Sequence, residues 1–188
     1  MADVPSGYHQ RKRIREVLPG LSQRRRSAFA AACAERVFPL LENDLADSSL
    51  CKSAIELAWR FAAGAPLDDK EAQDVAERCE GLVAELYEDD EKGATLSAVN
   101  AAIYALMSAR KLEAKFAEAA AADAQGAAET DTIDRAVRGQ YCEEEAEWQM
   151  RALDLAIATP APTRDMFAPL AGEPQWLRIY RREKWHPR

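Results

Sequence analysis

The segment Ser22–Leu41, SQRRRSAFAAACAERVFPLL, constrains the fold more than any other stretch of the chain. It is rich in alanine, contains no glycine, and sets Phe29, Cys33, Val37 and Leu40/Leu41 three or four residues apart. That spacing puts them on one face of a helix, a stripe about a third of a turn wide that must be buried against other helices. Ser22 is a good N-cap for it. Pro39 is expected to kink or end the helix near Phe38, because it lacks a backbone donor and clashes with the preceding turn. Val, Ile and Thr are thinly spread along the chain, so helices are favoured over sheet throughout.

Four more helical patterns follow. Asp47, Ser48 and Ser49 cap one with Cys51, Ile55, Ala58, Trp59 and Ala62 inward, closed by Gly64 and Pro66. Asp68 and Asp69 open the next, which carries Val75, Cys79, Leu82, Val83 and Leu86, with acids in the turn where the helix dipole favours them. A fourth starts near Thr95 and is read as running on past Leu112 and Phe116 to about Gly126. A fifth begins at Thr130 or Asp131 and ends at Pro160 and Pro162. The expected architecture is all-α, an antiparallel bundle of about five to seven helices with irregular basic ends. Residues 1–21 read as a basic mobile arm with one helical turn, 22–159 as the helical domain, and 160–188 as an aromatic and basic tail packing back through Phe167, Trp176 and Leu177 or Ile179.

The net charge of −7 hides a division. Residues 1–26 hold seven Lys/Arg against two acids and residues 178–188 five against one, whereas 27–177 hold 13 against 29. An acidic body repels nucleic acid and attracts basic partners. The basic arm has only Tyr8 interleaved as an aromatic, so packing on the acidic body is favoured over binding nucleic acid. The basic–aromatic end Arg178–Trp185 is a candidate to contact nucleic acid or an acidic partner, or equally to serve as an intramolecular strap over the acidic body. No apolar run approaches the roughly 20 residues of a membrane helix, and no apolar segment follows the basic Arg11–Arg15 stretch as a signal peptide requires. Four widely spaced cysteines without a CxxC pair are expected to be buried thiols in a reducing cytoplasm.

Catalytic patterns are missing from the sequence. Its two histidines, His9 and His186, have no ExxH or HExxH partner, and there is no phosphate-binding glycine loop or GxSxG elbow. No metal or cofactor is therefore expected. Glu35 and Arg36 are expected to pair structurally near Glu56 or Arg60, and Trp59 and Trp148 to pack between helices before serving a partner. Glu143, Glu144, Glu145 and Glu147 point in different directions on a helix, which favours a solvated acidic face over a cation site.

FAAACAERVFPLLE (Phe29–Glu42) resembles the opening motif of a bacterial family of small all-helical immunity proteins, the group numbered five among polymorphic-toxin systems. Cys33, Glu35, Arg36 and Pro39 carry its distinctive part, and AIELAWRFAAGAPL (Ala54–Leu67, with Trp59) and TLSAVNAAIYALMSA (Thr95–Ala109) extend the likeness over about residues 22–157. The resemblance implies a cytoplasmic, non-catalytic antidote that binds a cognate toxin made by the same bacterium. The acidic body suits a basic toxin, a nuclease among the candidates, captured through Glu88, Asp89, Asp90 and Glu91 and then through Glu143, Glu144, Glu145 and Glu147. The alternatives are a regulatory or nucleic-acid-associated protein acting through the basic ends, and a helical enzyme.

Overall fold

A computed structural model describes residues 6–87, 92–129, 135–170, 172 and 174–178, with the main chain alone at 6–8 and 135–140. Among these, the principal elements are α1 (Ser6–Val17), α2 (Gln23–Asp44), α3 (Ser49–Ala62), α4 (Asp69–Leu86), α5 (Gly93–Arg110), α6 (Lys115–Ala128) and α7 (Arg135–Ala158). A short α8 (Arg164–Phe167) and a 3-10 turn (Ala168–Leu170) follow, and no strand occurs among the described residues. The protein is an all-α bundle, and no described helix is long and apolar enough to cross a membrane.

Helix α2 lies at the centre. It packs on α5, α3, α6 and α7, while α5 also packs on α6, α3 and α4. Every residue from Arg26 to Ala34 is buried, so this half of α2 is enclosed on all sides and not along one stripe as the spacing suggests. Alanine makes that possible: its small side chain lets neighbouring helices approach closely around the whole circumference. Phe29, Leu40 and Leu41 supply bulk, and all are completely buried.

The start of α2 closes other helices. Gln23 Nε2 donates to the carbonyls of Ala109 (2.8 Å) and Lys111 (3.1 Å), and Arg26 donates to Leu112 O at 2.6 Å. Arg24 donates to Gly64 O at 3.2 Å and Arg25 Nε to Thr159 O at 2.9 Å. Helix C-termini leave unpaired carbonyls and a negative dipole end, and these side chains satisfy both at the ends of α3, α5 and α7. The arginine run Arg24–Arg26, counted in the positive charge of residues 1–26, is thus internal mortar.

The same contacts correct the fourth helical pattern, which is two helices: α5 ends at Arg110 because Gln23 and Arg26 take carbonyls at and just beyond its last turn. The N-terminal arm is likewise more than one turn. Helix α1 runs from Ser6 to Val17 and packs on α7, with Ile14 and Leu18 buried. Helix α2 also continues through Pro39 to Asp44. A proline inside a helix costs about 3 kcal/mol, and burying Val37 below it and Leu40 and Leu41 above it offsets that.

Other boundaries follow the sequence. Ser22 accepts from Arg25 N, Asp68 caps α4 by accepting from Lys70 N and Glu71 N, and Gly64 ends α3 with φ of 106°, a conformation that favours glycine. Cys33, Cys51 and Cys79 are buried. Cys51 on α3 and Cys79 on α4 meet through a side-chain hydrogen bond, and that bond and burial hold the Cys79 thiol upward in pKa. Phe167, Trp176 and Leu177 are buried, which lays the segment after α7 against the bundle.

Candidate functional site

The motif residues Glu35, Arg36 and Pro39 line a cleft of about 540 Å³ with Ala32, Glu42, Trp148, Arg164, Asp165, Phe167 and Leu170. One wall is α2, another α7, and the third is the segment of α8 and the turns after it. Its floor is a buried charge network. Arg36, with a side chain only 5% exposed, donates Nε to Glu145 Oε2 at 2.9 Å. It also donates to Gly172 O at 2.9 Å and to Glu144 at 3.4 Å, and its guanidinium lies over the Trp148 ring, 4.8 Å from the centroid. The Trp148 indole N–H donates to Leu170 O at 2.7 Å.

Glu145 is completely buried. Burial pushes its carboxyl upward in pKa, and the attraction and hydrogen bond of Arg36 and a hydrogen bond from Gln149 pull it back. Gln149 Nε2 also donates to Ala121 O, and Gln10 donates to Gln149, so the network runs from α2 through α7 to α1. Cys33 sits against it, and burial, with the charge of Glu145, pushes its thiol well up. It is a packed thiol and not a nucleophile.

A second network joins the other wall. Trp59 Nε1 donates to Glu35 Oε2 at 3.0 Å, Arg164 Nε donates to Glu35 Oε1 at 2.7 Å, and Arg164 also donates to Glu56 at 2.6 Å. Trp59 packs on Phe167 with ring centroids 5.3 Å apart. The motif therefore fastens the C-terminal segment to the bundle from both sides.

These contacts sort the acids and aromatics singled out in the sequence. Glu35 does lie near Glu56, but both are bridged by Arg164, and Arg36 turns to α7 while Arg60 pairs with Glu71 on α4. Glu145 cannot be a solvated or partner-facing acid, because Arg36 and Gln149 hold it inside. Glu144 is largely engaged as well, accepting from Gln175 N at 3.0 Å and from Arg36. Glu143 and Glu147 are exposed, Glu147 beside a second cleft with His9, Gln10 and Met150. Trp59 and Trp148 are packing residues, each 4% exposed. Glu88, Asp89, Asp90 and Glu91 lie outside the described residues.

The sequence did not single out the outer face of α4. This helix packs on α3 and α5 and exposes Asp69, Glu71, Asp74, Glu77, Glu80 and Glu85 against Lys70 and Arg78. Tyr87 follows, 77% exposed, and the acids 88–91 come directly after it in the chain. Hydrophobic spacing drew attention to the buried side of α4; the signal for its other side was the excess of acids between those positions. Among the described residues no group of three or more His, Cys, Asp or Glu is arranged to hold a metal ion.

A sequence model of the family described as Immunity protein Imm5 matches residues 8–141, and the chain belongs to that family. The match begins inside α1, earlier than the motifs alone indicate, and stops before Glu143–Trp148 and the fastened C-terminal segment. No curated protein and no solved structure matches the chain.

Proposed function

We propose, from that membership in the Imm5 family, that the chain is an immunity protein that binds a cognate toxin of a bacterial polymorphic toxin system and neutralises it without chemistry of its own. The observation that carries this is the family match over residues 8–141. The charge supports a basic toxin, since residues 27–177 hold 13 basic against 29 acidic side chains. The outer face of α4 is the best placed surface. Its acids lie along one exposed helix, and Tyr87 at its end offers the aromatic anchor that interfaces favour. Such a face accelerates capture by electrostatic steering. A nuclease fits this chemistry, because carboxylates can occupy a groove built for phosphates. The protein would act in the cytoplasm, where a toxin of its own cell would first do harm.

Action through the basic ends is less well supported. Arg13 pairs with Asp154 and Arg15 with Glu118, and Arg24, Arg25 and Arg26 donate to helix-end carbonyls, so much of the N-terminal positive charge is engaged internally.

The test is binding of the toxin encoded beside the gene. Replacing Asp74, Glu77, Asp89 and Asp90 together with lysine should slow association about tenfold or more at low salt, a difference that shrinks at high salt. Unchanged affinity would remove the α4 face from the proposal. Failure of the unmodified chain to bind that toxin would remove the proposal itself.

A further inference from the structure

We infer that the cleft above Glu35, Arg36 and Pro39 receives a basic side chain of the partner, an arginine, and so anchors the toxin at a point separate from the α4 face; this rests on the function proposed above. Size permits it: about 540 Å³ falls within the range of formed ligand sites.

The sign of the charge selects the occupant. Arg36 already donates to Glu145, Glu144 and Gly172 O, and Arg164 to Glu35 and Glu56. Both guanidiniums are committed to the protein's own acceptors, which leaves little for an anion. Carboxylates are in surplus: Glu35, Glu42, Glu56, Glu144, Glu145 and Asp165 surround Arg36 and Arg164, six against two. Glu42 and Asp165 line the cleft, are exposed, and make no ion pair among the described residues. A cation entering here meets unspent negative charge over a wall of Ala32, Pro39 and Leu170. Arginine suits this better than lysine, because its flat fork can serve more than one carboxylate while its face lies on apolar surface.

The experiment is an NMR titration of the full chain with Nα-acetyl-arginine methylamide, read at the Trp148 indole N–H and the Gly172 amide. A saturable shift in the millimolar range is expected, with at least a fivefold smaller response to the norleucine analogue and none to inorganic phosphate. The E42Q/D165N variant, altered only at exposed positions, should lose the response and hold the toxin about tenfold more weakly. A parent chain that responds to phosphate and not to the arginine amide would overturn the inference. So would an E42Q/D165N variant that titrates as the parent does, or that holds the toxin as tightly; the proposed function would then stand without this anchor. A parent chain that binds no toxin would remove the proposed function and, with it, the anchor.

Discussion

Glu144 and Glu145 on α7 and Asp74, Glu77 and Glu80 on α4 are alike as letters in a sequence and opposite in use. The α7 pair is folded into the protein, one carboxylate wholly buried on Arg36 and the other accepting from Gln175 N and Arg36. The α4 acids stand on an exposed surface at the edge of the bundle. A count of charge does not separate acids that hold a fold together from acids available to a partner. What separates them is burial: Arg36 and Glu145 meet inside the protein, whereas the cations that reach α4, Arg60 at Glu71 and Arg110 at Asp69, leave those acids exposed.

The contrast can be broken most sharply at Arg36. Arg36→Ala leaves Glu145 buried without its cation, and a loss of about 3–5 kcal/mol is expected in urea denaturation. The pair replacement Arg36→Met with Glu145→Leu should recover most of that loss, because it removes both charges from the interior. If Arg36→Ala unfolded at the parent midpoint, the α7 acids would be no more structural than those of α4.

Trp148→Phe is the next step down. It removes the donor to Leu170 O and weakens the ring beneath Arg36, so about 1–2 kcal/mol should be lost. The segment 164–178 should also become more accessible to hydrogen exchange than α5. Equal protection in parent and variant would argue against the fastening role.

Asp123, half-buried on α6, lies between the two extremes. Burial raises its pKa to about 6 from the ordinary aspartate value of 3.8. The folded state therefore keeps a proton that the unfolded chain releases, and the stability Asp123 allows is present below about pH 4 and lost as pH rises toward 6. Full conversion of that shift would be about 3 kcal/mol, and solvent screening of a partly exposed carboxylate reduces it to about 1 kcal/mol. Asp123→Asn should gain roughly that at pH 7 and nothing at pH 4. A variant less stable than the parent at pH 7 would show that Asp123 has a stabilising use as an anion.

The smallest expected effect on stability is on α4. Asp74→Lys with Glu77→Lys should shift the unfolding free energy by less than about 0.5 kcal/mol, since neither residue is buried. Toxin association should suffer instead. A large loss of stability would place these acids with those of α7.

Helices, caps and the bundle class were legible because they rest on local spacing: Ser22, Asp68 and Gly64 mark boundaries through chemistry within a few residues. Boundaries set from afar were not legible. The end of α5 depends on Gln23, a separation of 86 residues from Ala109, and no breaker lies in the sequence at Arg110. The continuation of α2 through Pro39 depends on packing around Leu40 and Leu41, which local propensity does not contain. The site was half legible. Cys33, Glu35, Arg36 and Pro39 stood out as a motif, but Arg164 reaches Glu35 across 129 residues and Arg36 reaches Glu145 across 109, pairings that no spacing rule announces. Glu143, Glu144, Glu145 and Glu147 were read as solvated, pointing in different directions; the helix in fact turns Glu145 inward and leaves only Glu143 and Glu147 fully outside.

The measurement closest to the central claim is the stoichiometry of protection. The cognate toxin proposed above would be titrated with the purified chain, its activity followed, and both intact masses recorded afterwards. Neutralisation by occupancy predicts inhibition that rises in proportion to the chain and is complete near equal molar amounts, with both masses unchanged and activity restored when the complex is dissociated. Complete inactivation by a small fraction of one equivalent, or a changed toxin mass, would contradict it and make this helical bundle an enzyme.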